Sequence, residues 1–101
     1  MEGSTTHMTI DAMPRERFDL PIEAAAYFLI AEATTSGAAR RARINVRHVD
    51  ASLMVEVEHD GKEPESVTEL EDRIGALDGT VMVDKIDGGL IWIRAEIPCG
   101  S

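Results

Sequence analysis

The chain has 101 residues, 44% hydrophobic and 29% charged, with a formal net charge of −9. That length supports one domain with a single core, a sheet covered on one side by helices, and excludes a multidomain enzyme. A pI near 4.6 argues against a nucleic-acid partner, because phosphate-backbone surfaces need clustered Lys and Arg to displace counterions.

The nearest approach to a membrane span, residues 24–33, carries Glu32 and falls well short of the roughly 20 apolar residues a bilayer requires. No direct membrane contact is expected. A lone cysteine, Cys99, offers no internal disulfide, and no basic start with an apolar run opens the chain. Both features fit a cytoplasmic protein.

Residues 1–8 are polar, unpatterned and end in His-Met, and the chain closes on Gly100-Ser101. Both ends read as remnants of an expression vector and are set aside from the fold. Residues 9–20 are mixed in character, carry Pro14, and read as an extended arm or linker. The domain proper is expected over residues 21–99.

Pro21 suits the first turn of a helix, where its missing N–H costs nothing, and Glu23 places negative charge at the positive end of the dipole. Ile22, Ala26, Leu29 and Ala33 recur at the spacing of a buried stripe, so a helix is expected from residue 21 to about residue 39. Ile44, Val46 and His48 then alternate with Arg43, Asn45 and Arg47. After a turn near Asp50, Leu53, Val55 and Val57 alternate with Met54, Glu56 and Glu58. This is the pattern of two half-buried strands in a hairpin.

Residues 59–64 have turn composition, and Ser66-Val67-Thr68-Glu69 has the form of a capping box. It announces a second helix with Leu70, Ile74 and Leu77 on its apolar face, ended by Asp78-Gly79. Val81 and Val83, then residues 90–97, form two more strands joined by Asp87-Gly88-Gly89, whose glycines permit positive φ. The expected order is α, β, β, α, β, β.

Particular stretches go further. Ala31-Glu32-Ala33 lies in the first helix, Val55-Glu56-Val57 runs into Asp60-Gly61, Leu70-Glu71-Asp72-Arg73-Ile74 with Ala76-Leu77 forms the second helix, and Gly88-Gly89 precedes Ala95-Glu96-Ile97-Pro98. In this wording residues 20–99 resemble the ATP-binding catalytic domain of two-component sensor histidine kinases, in the branch partnered with LuxR/NarL-type response regulators. The resemblance implies a two-layer α/β sandwich of the gyrase, Hsp90, kinase and MutL type. Its sheet is mixed but mostly antiparallel, with helices on one face. The implied cofactors are ATP and Mg²⁺, and the implied partners are a histidine-bearing dimerisation domain and a response regulator.

Three departures bear on activity. The family has a helical Glu followed four residues later by an Asn that holds Mg²⁺, whereas this chain has Glu32 and Ser36. After the strand that follows the hairpin turn the family has Asp-x-Gly-x-Gly, whose Asp accepts from the adenine amino group. Aligned on Gly61, the Asp position holds His59 and the second Gly position holds Glu63, and Asp60 is displaced by one residue onto the opposite face. The family's glycine-rich lid is shortened to Lys62, Glu63, Pro64 and Glu65. Ser66 and Glu69 would occupy the helix amides that otherwise bind phosphate, and Glu63, Glu65 and Glu69 would repel it.

The resemblance therefore implies a degenerate domain without a cofactor, in a regulatory or interaction role, with Ser36, His59, Asp60 and Gly61 marking the altered pocket. The alternative is an active kinase domain that phosphorylates a histidine outside these residues, with Glu32 as its catalytic carboxylate. An anti-sigma-factor-like module is a third reading. His48 and His59 lack companions at ligand spacing, so both read as ordinary surface or turn histidines and no metal site is expected. Cys99 reads as a bystander, Arg40, Arg41, Arg43 and Lys62 as a solvated basic face, and Trp92 as filling for the core and outer sheet face.

Overall fold

The computed structural model describes residues 7–15, 17–36, 39–62 and 67–99. Chain order is β1 (His7–Ala12), α1 (Leu20–Ser36), β2 (Arg41–Val49), β3 (Ser52–His59), α2 (Val67–Gly75), β4 (Thr80–Ile86) and β5 (Leu90–Pro98), with a single 3₁₀ turn at Asp87–Gly89. The five strands form one sheet in the order β1-β2-β3-β5-β4. Only β1 with β2 is parallel; the other three pairings are antiparallel. The expected mixed sheet with helices on one face is what the chain builds.

The alternation seen in the sequence sorts the two faces. Ile44 and Val46 of β2, Leu53, Val55 and Val57 of β3, and Ile91, Ile93, Ala95 and Ile97 of β5 are buried. Ile22, Ala26, Leu29 and Ala33 of α1, with Leu70 and Ile74 of α2, close over them as a single core. Each such branched side chain removed from water contributes about 1.5–3 kcal/mol. The opposite face carries Arg43, Asn45 and Arg47 of β2, Glu56 and Glu58 of β3, and Trp92 and Arg94 of β5, with no helix over it among the described residues.

Both hairpins form where turn chemistry places them. Val49 pairs with Ser52 across Asp50-Ala51, and Asp50 takes φ +55°. Gly88 and Gly89 take φ +83° and +77° between β4 and β5. Past the end of α2, Asp78 supplies the left-handed residue at φ +63°. Gly79 is needed there for room: a Cβ would lie 2.6 Å from the Glu96 carbonyl oxygen and 2.7 Å from Ile74 Cγ2.

Three details differ from the sequence reading. Residues 7–12 form β1, which begins at His7 and Met8, in the stretch set aside from the fold, runs into the stretch read as an arm, and pairs with β2 from His7 to Ala12. Its Met8 and Ile10 are exposed, at 47% and 55%, so the strand rests on backbone pairing and an Asp11–Arg43 ion pair at 2.9 Å, neither of which leaves an apolar pattern. The first helix ends at Ser36, not near residue 39. Ala39 is buried, but its N–H reaches the Thr34 carbonyl only at 3.4 Å, outside the helix. His59, read as a surface or turn histidine, ends β3 and is buried, whereas His48 is exposed and its ring meets Phe18 edge-on at 5.3 Å. The capping residue Ser66 lies outside the described residues, as do Glu63, Pro64 and Glu65.

The start of α1 is held by Glu23. Its carboxylate accepts from Arg17 Nε and Nη2 at 2.9 and 3.0 Å and from the Phe18 N–H at 2.9 Å. The Arg17 contact, then the Phe18 amide, draws its pKa down from 4.5 to about 2. A carboxyl depressed in the folded state stabilises above its unfolded value, and that contribution fades as pH falls from about 4.5 toward about 2. Carbon-detected NMR titration of the Glu23 carboxyl is expected to give a midpoint near 2, and Arg17→Ala to move it upward; a wild-type midpoint at the ordinary glutamate value would refute the clamp. Gly79→Ala is expected to lower stability by roughly 1–3 kcal/mol in denaturant unfolding, as overpacking against backbone does, whereas Gly75→Ala, with open space around it, is expected to cost nothing.

Candidate functional site

Of the positions that the resemblance singles out, Asp60 is tied by hydrogen bonds to the start of β2, which follows the end of α1. At the C-terminal end of α1, Thr34 is buried and its Oγ1 donates to the Ile30 carbonyl at 2.9 Å. The Ala39 N–H donates to the Thr34 carbonyl, and the next amide, of Arg40, donates to Asp60 Oδ1 at 2.8 Å. Asp60 Oδ1 also accepts from the Arg41 N–H at 3.1 Å, and the Asp60 N–H returns to the Arg41 carbonyl at 3.3 Å. The end of α1, the start of β2 and the bend after β3 are thereby tied into one unit.

Within this unit Asp60 is spent on structure. Its pKa is drawn below the usual carboxylate value, first by the Arg41 amide and then by the Arg40 amide. The side chain is exposed and turned to the strand entrance, while its neighbour His59 continues the buried row of β3. The displaced carboxylate does not take over the position that His59 holds.

His59 is 1% exposed. Its Nδ1 accepts the Gly61 N–H at 3.0 Å, so in the neutral ring the proton sits on Nε2. Burial pushes the His59 pKa down, against a smaller upward pull from Asp60. Nε2 is buried without a hydrogen-bond partner. An adenine amino group brings its own N–H donors, and Nε2–H meets them with another donor. The atom presented at this position does not fit an adenine amino group as a carboxylate would.

Glu32 lies half-buried in α1, and among the described residues its carboxylate forms no hydrogen bond or ion pair. One turn earlier Phe28 stacks under the guanidinium of Arg73, 4.1 Å from the ring centroid, which joins α1 to α2. Sequence reasoning missed this bridge and the buried Thr34, since neither residue carries a motif. Ser36 closes α1, and no placement of its side chain is described. Among the described residues no group of three or more His, Cys, Asp or Glu is arranged to hold a metal ion, and no helix is long and apolar enough to cross a membrane.

A two-helix, five-stranded α/β layer of this topology is the fold of histidine-kinase ATP-binding catalytic domains. The ATP-binding domain of PrrB from Mycobacterium tuberculosis matches with a TM-score of 0.63 at 14% identity, over 93% of this chain and 82% of that one. The histidine kinase AdeS of Acinetobacter baumannii matches at 0.71 and 17% identity over 97% of this chain. The histidine kinase domain of the Erythrobacter litoralis blue-light activated kinase matches at 0.72 and 16%. This chain spans 56% and 53% of those last two structures. No family model matches the sequence, and no curated protein does.

The buried His59 makes stability pH-dependent. Its folded pKa lies below the unfolded value of 6.5, so its contribution is complete above pH 6.5 and is lost as pH falls through the lowered folded value. Denaturant midpoints are expected to decline with acidification below that point. His59→Asn, which can still accept from the Gly61 amide, is expected to flatten the decline; an unchanged slope in this variant would assign the effect elsewhere.

Proposed function

We propose that this chain is a histidine-kinase-type ATPase domain of a two-component signalling protein whose nucleotide site is degenerate, and that it acts in regulation or interaction. The observation that carries the reading is His59: a neutral, buried donor at the position where the family resemblance calls for a carboxylate acceptor. Capture of Asp60 by the Arg40 and Arg41 amides supports it, because that neighbouring carboxylate is engaged elsewhere. The partners in this reading are a histidine-bearing dimerisation domain, of its own protein or of a kinase, and a response regulator of the LuxR/NarL-type branch. The compartment is the cytoplasm.

A second reading rests on Glu32, half-buried in α1 without an ion pair among the described residues. There the domain transfers a phosphoryl group to a histidine outside these residues, and Glu32 positions the acceptor. Isothermal titration with Mg-ATP separates the two. No saturable heat at micromolar nucleotide is expected, and micromolar affinity would overturn the degenerate reading. Label transfer to a supplied acceptor domain that is lost in Glu32→Gln would establish the second.

A further inference from the structure

The sheet face turned away from the helices carries a continuous cross-strand row. Arg43 pairs in register with Glu58, Glu58 with Trp92, and Trp92 with Asp84. Directly opposed residues on one face hold their Cβ atoms about 4.5–5.5 Å apart. Trp92 is therefore flanked on both sides by carboxylates. These residues line a depression of about 540 Å³ together with Asp11, Asn45, Glu56 and Ile86.

Two of the basic side chains on this face are held in ion pairs, and a third contacts a thioether sulfur. Arg43 Nη2 is 2.9 Å from Asp11, Arg47 Nη2 is 3.8 Å from Glu56, and Arg94 Nη2 lies 3.8 Å from the Met54 sulfur. Among the described residues the Glu58 and Asp84 carboxylates form no ion pair or hydrogen bond. Asn45 Oδ1 is a buried acceptor without a partner. The depression thus offers an indole and two carboxylates that form no ion pair, which together call for a donor that is cationic and tolerates an aromatic surface. A guanidinium meets each demand: it stacks on indole, pairs with carboxylates and has no acceptor to be repelled.

We propose that this open sheet face docks a partner protein through an arginine side chain seated on Trp92 between Glu58 and Asp84. A protein segment is the occupant because the charged depression continues into exposed apolar side chains. Ile86 is 37% exposed at its rim, and Met82 is 55% exposed one row away, a surface larger than one guanidinium covers. A paired aromatic and arginine is the usual anchor of such contacts. The net charge of −9 draws a basic segment in at long range. The site shares no residue with the His59 unit and stands whether or not nucleotide binds.

Trp92 is the sole tryptophan of the chain, so its fluorescence reports on this depression alone. The test titrates the protein with an acetylated, amidated peptide carrying arginines among small apolar residues, beside its lysine counterpart and free arginine amide. A saturable change in Trp92 emission is expected with the arginine peptide. Both other probes are expected to bind roughly tenfold or more weakly. Glu58→Gln with Asp84→Asn should weaken the arginine peptide by a similar factor, while Glu71→Gln with Asp72→Asn on α2, an equal change of charge, should leave it unaltered. Circular dichroism melts verify that both variants fold.

Equal weakening by the α2 pair, or lysine binding as tightly as arginine, would reduce the effect to diffuse electrostatics and overturn the proposal. Free arginine amide matching the peptide would assign the depression to a small cation and overturn protein docking. No saturable change with the arginine peptide would also overturn it.

Discussion

The row of side chains that β3 sends into the core governs the rest of the molecule. Leu53, Val55, Val57 and His59 follow one another at alternate positions, each at most 3% exposed. The strand sits at the centre of the sheet, paired on both sides by antiparallel neighbours. Only two described helices cover that face, so α1 must be apolar along its length, and its stripe of Ile22, Ala26, Leu29 and Ala33 meets the row directly. A one-residue slip in register would exchange this row for Met54, Glu56 and Glu58, which makes the register costly to change.

His59 owes its chemistry to being the last member of that row. Register places the ring inside, burial strips its water and favours the neutral form, and the Gly61 amide selects the tautomer. The next residue must then face outward, where the Asp60 carboxylate satisfies the two amides that open β2. Those amides begin an internal strand and need acceptors. The roles of His59 and Asp60 follow from one strand register and the local hydrogen-bond demand, with no ligand involved.

Much of this was legible from residue pattern. The alternation of residues 43–48 and 53–58 specified the first hairpin, and Leu70 with Ile74 marked the buried face of α2, because each pattern reports burial on one side. The family resemblance located His59, Asp60 and Gly61 in the sequence. What pattern could not supply was the engagement of Asp60 by amides 19 and 20 residues away, since backbone donors look the same in every residue. For the same reason β1 left no signal: it is an exposed edge strand held by backbone pairing and one ion pair. The helix end was misplaced because Ala39 is buried for tertiary reasons and a buried alanine prolongs an apparent stripe.

The two faces of the sheet differ in what they demand of their side chains. On the helix side the central strand positions answer to packing, and the buried imidazole of His59 has been adapted to it. On the open side packing imposes little: Arg43 of β2 stands opposite Glu58, and the stabilising choice on β5, between Glu58 and Asp84, would be a second basic residue, because cross-strand opposite charges help. At Arg43 with Asp11 and Arg47 with Glu56 the sheet makes that choice. At Trp92 it places an aromatic ring between two carboxylates that lack partners among the described residues. Local stability does not account for that departure, whereas a cation supplied by another molecule would complete the pattern. A contact made there would leave the His59 row undisturbed, so the face that binds and the face that folds can vary independently.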